Sequence, residues 1–474
     1  MTTTTATAFS PTLPALDALR HSTAGPVLVP TDPAFSAEIF AWNVRTTHHP
    51  AIVVGASCAD DVVAAVQYAI RHRLTVAVQA TGHGAVDAVD GGVLITTHRI
   101  SDVTVDPMTA IARIGAGAKW ARVITAAAPY GLAPLSGSTS DVGAIGYTLG
   151  GGMGPLGRRY GFAADRVRAV EIVTGDGRLR TVTADDDSGL FWAVLGGKGN
   201  LGVVTAIYME LVPVARLYGG GIYFAGDDAA SVLHAWRTWV DSVPEDMTSS
   251  VALMRLPDLE DVPPPLRGRL SVHLRIAYLG SVEQGERLVA PLRAAGRILL
   301  DGVREMPFTE TDSIHQDPVE PMPAWHRGAL LSALPAEAID AVLATAGPGT
   351  EVPLIMAELR HMGGALSRQP AVPNAVSGRS AAFSVFTLGP GVPALAQAVP
   401  AAAGRLFDAL APWHSPEQLI NFLGSDLTPD EVAAAYPAKV AARLQAAKGQ
   451  FDPHGLFRHS HTLRSVSSTT TENA

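Results

Sequence analysis

The segment Val78-Gln79-Ala80-Thr81-Gly82-His83-Gly84 sets one histidine in a turn of small residues, directly after the apolar run Leu74 to Val78. A strand feeding such a turn exposes backbone N–H groups that can receive a phosphate, and His83 would lie within reach of whatever carries it. A second glycine concentration follows, with Gly137, Gly143, Gly146, Gly150, Gly151, Gly152, Gly154, Gly157 and Gly161 in one stretch. Two segments have the spacing GxGxxG: Gly152 to Gly157 and Gly197-Lys198-Gly199-Asn200-Leu201-Gly202. A dinucleotide fold needs a strand before those glycines and a helix after them. The second segment runs from helix to strand, and Pro155 interrupts the first, so neither fits. The glycines instead let backbone pass close to a large flat ligand.

The elements that must position these residues are legible in the hydrophobic pattern. Asp32 to Asn43 reads as a short helix, Pro50 to Val54 as a buried strand, Asp60 to His72 as an amphipathic helix, and Leu74 to Val78 as a strand parallel to the first. That is a βαβ unit ending at the His83 turn. Gly92 to Thr96 is a further strand. Val103 to Val105 pairs with Ile111 to Ile114, and Arg168 to Thr174 with Leu179 to Thr183, as hairpins. Lys119 to Pro129 and Asp187 to Leu195 are helices, and Val203 to Leu211 is a strand. From about Val214 the texture shifts to strands and helices with proline-bearing connections. Arg269 to Leu279, Leu354 to Met362 and Ala382 to Leu388 are strands of a second sheet.

The 474 residues are too many for one ordinary core, and 47% hydrophobic against 17% charged residues supplies large buried sheets. A net charge of −9 with no basic block argues against a nucleic-acid partner. Cys58 is the single cysteine, which excludes an internal disulfide and cysteine-based metal cages. No apolar run spans a bilayer and the N-terminus has no secretory pattern, so a cytoplasmic protein without a membrane partner is expected. His454, His459 and His461 lack a carboxylate at ligand spacing and read as structural or solvated, so no metal is expected.

Four segments together resemble a known family. They are Gln79 to Gly84; Gly137-Ser138-Thr139-Ser140-Asp141-Val142-Gly143 with Gly150 to Gly154; Phe191-Trp192-Ala193-Val194-Leu195-Gly196-Gly197-Lys198-Gly199-Asn200-Leu201-Gly202-Val203-Val204-Thr205; and Lys448-Gly449-Gln450-Phe451-Asp452-Pro453-His454-Gly455-Leu456-Phe457. In this order they are similar to the FAD-linked oxidases of the vanillyl-alcohol-oxidase, or PCMH-type, superfamily, in its berberine-bridge-enzyme-like branch. The resemblance implies an α+β fold with two α/β FAD-binding subdomains and an inserted substrate domain of antiparallel sheet and helices. The expected division is 1–213 and 412–464 for FAD, 214–411 for substrate, and a disordered tail at 465–474.

The resemblance also implies cofactor contacts at Gln79, Ala80, Thr81, Gly82, His83, Gly84, Thr139, Gly143, Gly146, Gly150, Gly151, Gly152, Gly199, Asn200, Gly202, Val203, Val204, Asn421 and Phe422. His83 matches the histidine often bonded to the flavin 8α-methyl carbon. Thr139 stands where a second, cysteinyl tether would be, so a monocovalent FAD is expected. The chain departs from the pattern at Gln79, Ala80 and Thr81, which replace Arg-Gly-Gly. It also departs at Gly455, in place of asparagine, and at Phe422, in place of tyrosine.

The catalytic base belongs on the inserted sheet. In Ala357 to Ala365 a period of two puts Glu358, Arg360 and Met362 on one face and Leu359 and His361 on the other. Similar family members carry a polar strand ahead of Gly-Gly-Ala, which nominates Glu358 as base, Arg360 as its partner or as a clamp on an anionic substrate, and His361 as the base if the register is reversed. The implied activity is a hydride-removing oxidase acting on a carbon beside oxygen or nitrogen in a specialised metabolite, consuming oxygen and releasing peroxide. A bacterial protein, monomeric or homodimeric, is expected. A sugar or oligosaccharide oxidase, for whose open aromatic groove the inserted domain offers only the few tryptophans Trp236, Trp239 and Trp325, and a non-redox cyclase or binding protein that keeps a flavin, are the rival readings.

Overall fold

The computed structural model describes residues 13–425, 427–459 and 461–465, so most of the expected tail lies outside the described residues. Three sheets organise it. The first contains β1 (Val27–Leu28), β2 (Ile52–Gly55), β3 (Val76–Gln79) and β4 (Val93–Thr96) in the order β1-β2-β4-β3. Thus β2 and β3 are not neighbours: β4 lies between them, parallel to both. The helix Ala59–His72 links them, with Asp60 and Asp61 in its first turn and Arg71 and His72 in its last, as its dipole favours. The buried Asp61 carboxylate accepts from the N–H groups of Ala24, Gly25 and Ser57, which fixes where that helix begins.

The second sheet contains β5 (Val103–Asp106), β6 (Ile111–Gly115), β7 (Val167–Thr174), β8 (Leu179–Thr183) and β9 (Gly202–Glu210), ordered β5-β6-β9-β7-β8 and antiparallel throughout. Both expected hairpins are present. The helix expected over Asp32 to Asn43 is one turn, Phe35–Glu38. Its continuation is prevented because the Gln79 side-chain amide takes the carbonyls of Ile39 and Phe40, at 3.2 and 3.1 Å, for itself.

The third sheet holds eight strands: β10 (Arg216–Ala225), β11 (Met247–Arg255), β12 (Leu270–Tyr278), β13 (Ile298–Asp301), β14 (Arg304–Pro307), β15 (Ala324–Leu331), β16 (Met356–His361) and β17 (Phe383–Pro390). Its order is β13-β10-β12-β11-β16-β17-β15, with β14 also on β10. Alternation decides its two faces. Val251, Leu274, Leu359 and Val385 pack with the helices Ala229–Trp239, Ala336–Ala346 and Ala398–Leu410 in one apolar cluster. Met356, Glu358, Arg360, Phe386 and His326 take the opposite face, toward the first two sheets. There the segment before β15 is fastened to the N-terminal part of the chain. Asn43 exchanges two 3.0 Å hydrogen bonds with the backbone of Ala324, and Trp42 Nε1 donates to the Val319 carbonyl at 2.9 Å.

Among the described residues no helix is long and apolar enough to cross a membrane.

Candidate active site

A cavity of about 480 Å³ lies where the three sheets meet, in the size range of small-molecule and cofactor sites. The turn after β3 forms one wall. His83 is stacked on Trp42, ring centroids 4.3 Å apart, and its Nδ1 is paired with Thr81 Oγ1 at 2.9 Å. Its Nε2 is buried and has no hydrogen-bond partner. Burial lowers its pKa to about 4 against the pull of Asp141, whose carboxylate lies 3.8 Å from Nε2. His83 is therefore neutral at pH 7, with one ring nitrogen uncommitted.

Gln79 presents only its backbone to a ligand. Its amide oxygen is 2.9 Å from His48 Nε2, and its nitrogen serves the two carbonyls named above. The residue replacing the family's arginine is thus consumed in holding residues 39–48.

The glycines divide into two kinds. A Cβ added at Gly84, Gly146 or Gly199 would meet no atom within 4 Å, although all three line the cavity. These positions leave room for a guest. At Gly150 it would sit 2.0 Å from Asn421 Oδ1, and at Gly152, where φ is +76°, 2.4 Å from the Tyr147 ring. Here the missing side chain serves packing within the protein. Gly143 lies between, 3.5 Å from Thr81 Oγ1, and Gly82 turns with φ +77° against Ala41.

Of the residues expected at the cofactor, Gln79 to Gly84, Thr139, Gly143, Gly146, Gly150, Gly152, Gly199, Asn200, Gly202, Val204, Asn421 and Phe422 do line the cavity. Gly151 and Val203 do not. Gly151 packs against Val376, and strand alternation turns the fully buried Val203 into the core while Val204 faces the cavity. The Asn200 side chain is also spent within the protein. It donates to the carbonyls of Gly197 and His461 and accepts from the Leu463 N–H, which anchors the end of the chain. Beside it the buried Lys448 ammonium joins the Asn200 and Phe457 carbonyls to Asp452, so the Lys448 to Phe457 segment acts as a structural knot.

On the sheet wall the expectation for Glu358 fails. Its carboxylate is fully buried, with Oε1 2.6 Å from Arg275 Nη1 and Oε2 2.8 Å from Arg360 Nε. Burial alone would raise its pKa, but the Arg360 and Arg275 charges overcome that and hold it far below the usual carboxylate range. A carboxylate so paired cannot take a proton at neutral pH, and it is not part of the cavity wall. Arg360 does line the cavity, with its guanidinium 5.9 Å from the Phe386 ring centroid and 5.3 Å from that of Phe422.

His361 points elsewhere, into a separate space of about 30 Å³ bordered by Ser250, Arg275 and His315. It accepts from Arg158 Nη1 at 2.9 Å, and burial plus that guanidinium lower its pKa to about 3. It is no base for a substrate in the main cavity. The tryptophans that a sugar groove would have had to draw on are absent from that wall too. Trp236 and Trp239 are core residues, and Trp325 packs on the helix side of the sheet.

Among the cavity residues that were not anticipated, three bear on the chemistry. His326, on β15, stacks on Phe386 at 5.7 Å, and burial, Lys198 and Arg45 lower its pKa to about 4. Lys198, between two glycines, also faces the cavity. The Tyr147 hydroxyl is buried without a partner, and burial raises its pKa. The signal for His326 was available in the alternation of Ala324, His326 and Gly328 against Trp325 and Arg327.

Comparison with known proteins agrees with this architecture. Residues 50–183 match the FAD binding domain family. The chain is 28% identical over 462 residues to (R)-6-hydroxynicotine oxidase of Paenarthrobacter nicotinovorans, covering 93% of this chain and 96% of that one. The Physcomitrella patens BBE-like 1 structure superposes with a TM-score of 0.81 at 18% identity, over 95% of this chain and all (100%) of that one. A carbohydrate oxidase from Microdochium nivale gives 0.79 at 18% identity, with the same coverages of 95% and 100%. In sequence and fold the chain is similar to the PCMH-type FAD-binding oxidases, and it is an FAD-linked oxidoreductase.

Proposed function

We propose that this FAD-dependent oxidase removes a hydride from a C–H bond beside nitrogen or oxygen in a small, largely apolar specialised metabolite, with oxygen as acceptor and peroxide as product. One observation carries the reading. On the sheet side the cavity is lined by Met322, Met356, Phe386, Leu388 and Phe422, with Asp317, His326, Arg360 and Asn421 as the polar groups among them. Such a wall suits an aromatic or alicyclic amine or alcohol better than a sugar, whose many hydroxyls would be left without partners.

The cavity fits FAD: the open positions at Gly84, Gly146 and Gly199 face it, and His83, whose Nε2 has no hydrogen-bond partner, is one of its lining residues. In this reading residues 1–213 and 412–464 bind the cofactor, and 214–411 carry the substrate. The turn from Ala80 to Gly84 offers N–H groups to the pyrophosphate. Bound FAD supplies the two-electron acceptor and the route of those electrons to oxygen. His326, neutral at pH 7, accepts the proton from the substrate's O–H or N–H, and Arg360 orients the substrate over Phe386 and Phe422. A neutral, unpaired Nε2 on His83 supports a single covalent bond to the flavin, because a ring nitrogen must offer its lone pair to form one.

Two measurements test these roles. Anaerobic mixing with a panel of cyclic amines, benzylic alcohols and oligosaccharides should bleach the flavin with an amine or alcohol; bleaching by oligosaccharides alone overturns the substrate class, and no bleaching by any member favours the non-redox reading. The mass of the denatured protein should exceed the chain mass by one FAD, and the chain mass alone overturns the tether.

A further inference from the structure

We propose that the Lys198 ammonium is the counter-charge for the negative charge that the bound cofactor gains when it is reduced. The proposal rests on the reading that FAD fills the main cavity. Lys198 stands among Gly196, Gly197 and Gly199 with φ 53° and ψ −143°, a strained backbone conformation that residues with a side chain rarely adopt. Glycine there would be unstrained. The chain instead holds an ammonium at the cavity surface.

Among the described residues nothing hydrogen-bonds or ion-pairs with that ammonium. Burial lowers its pKa to about 8, so it remains mostly charged at pH 7. The groups around it are basic as well. His326 from β15 and His461 from the C-terminal segment both feel Lys198, and Arg45 acts on His326. No carboxylate contributes to the electrostatics of Lys198, His326 or His461 among the described residues. A desolvated cation without an anion is costly, and a site built this way is complete only when negative charge arrives.

The reaction delivers that charge. A hydride carries two electrons and one proton, so its transfer breaks the substrate C–H bond and leaves one net negative charge on the cofactor. The substrate's remaining proton goes to His326. An ammonium held at the cavity surface would stabilise that charge with no reorganisation at the moment of transfer. The consequence is thermodynamic: Lys198 raises the affinity of the cofactor for electrons.

The test is equilibration of the purified, FAD-loaded protein with a redox dye, without substrate, in the wild type, Lys198→Met and Lys198→Arg. Lys198→Met should shift the equilibrium at least tenfold toward oxidised flavin, and Lys198→Arg should stay within threefold of wild type. Lys198→Gln replaces the methionine variant if the latter does not fold or load. An FAD-loaded Lys198→Met protein with an unmoved equilibrium overturns the proposal alone. So does an unmoved equilibrium together with weaker binding of benzoate, which would assign Lys198 to an anionic substrate group. Wild-type protein that takes up no FAD overturns the reading of the cavity and this proposal with it.

Discussion

His83 and Glu358 are both buried, both titratable and both strongly shifted, yet they differ in what their atoms have left to offer. His83, a residue of the cavity wall, has one nitrogen paired with Thr81 and one with no hydrogen-bond partner. Glu358 has each oxygen held by an arginine and faces none of the cavity. Burial and a displaced pKa are shared by reactive and structural groups alike. The unsatisfied valence separates them, because a fully paired buried charge has its chemistry already committed.

Breaking the Glu358 side of this contrast should have the largest effect. Glu358→Gln leaves Arg275 and Arg360 buried without their shared anion, and it should cost about 3–5 kcal/mol in urea unfolding. The pH dependence follows from the sign of the shift. A carboxyl whose folded pKa lies below its unfolded value contributes stability above the unfolded value and loses it as pH falls toward the folded one. The wild type should therefore lose this part of its stability below about pH 4, and the variant should show less of that loss. A variant that keeps wild-type stability while losing activity would return Glu358 to the role of base.

On the reactive side, His326→Ala should lower kcat/KM about 10²–10⁴-fold with a substrate found by flavin bleaching, while flavin content and melting temperature hold. An unchanged kcat/KM removes His326 as the proton acceptor. His83→Ala should give a protein that melts like the wild type but releases its FAD on denaturation, and retention of a covalent mass would place the tether elsewhere.

The smallest effect sharpens the same distinction among glycines. Gly146 is inside the helix Ala144–Leu149 and faces open space, so Gly146→Ala should stabilise the apoprotein by about 0.5–1 kcal/mol and yet weaken retention of FAD. Gly150→Ala should destabilise it, because Asn421 has no room to retreat while its amide donates to the Tyr147 carbonyl at 2.9 Å.

Sequence carried much of the scaffold, since strand and helix periods are local properties. The helix Ala59–His72, both hairpins and the strands around Leu270 to Tyr278 and Phe383 to Pro390 follow from apolar spacing alone. The insertion of β4 between β2 and β3 does not, because strand order is set by packing across the whole domain. The fate of Glu358 was hidden for a related reason: its partner Arg275 lies 83 residues upstream, on β12, beyond the reach of any periodicity. Glycines at 146 and 150 read identically as letters, and only their neighbours distinguish a space for a guest from a space for Asn421. The alternation that turns Trp325 away from the cavity turns His326 into it, but without a reason to look at β15 that signal has no address.

The knot around Lys448 has a consequence for biosynthesis. The cavity is bounded by Trp42 and His83 from one end of the chain and by Phe457, His459 and His461 from the other, and Asn200 and Lys448 bind those ends together. That enclosure keeps an open side until residues as far as His461 have been made and packed, however well the first sheets have formed.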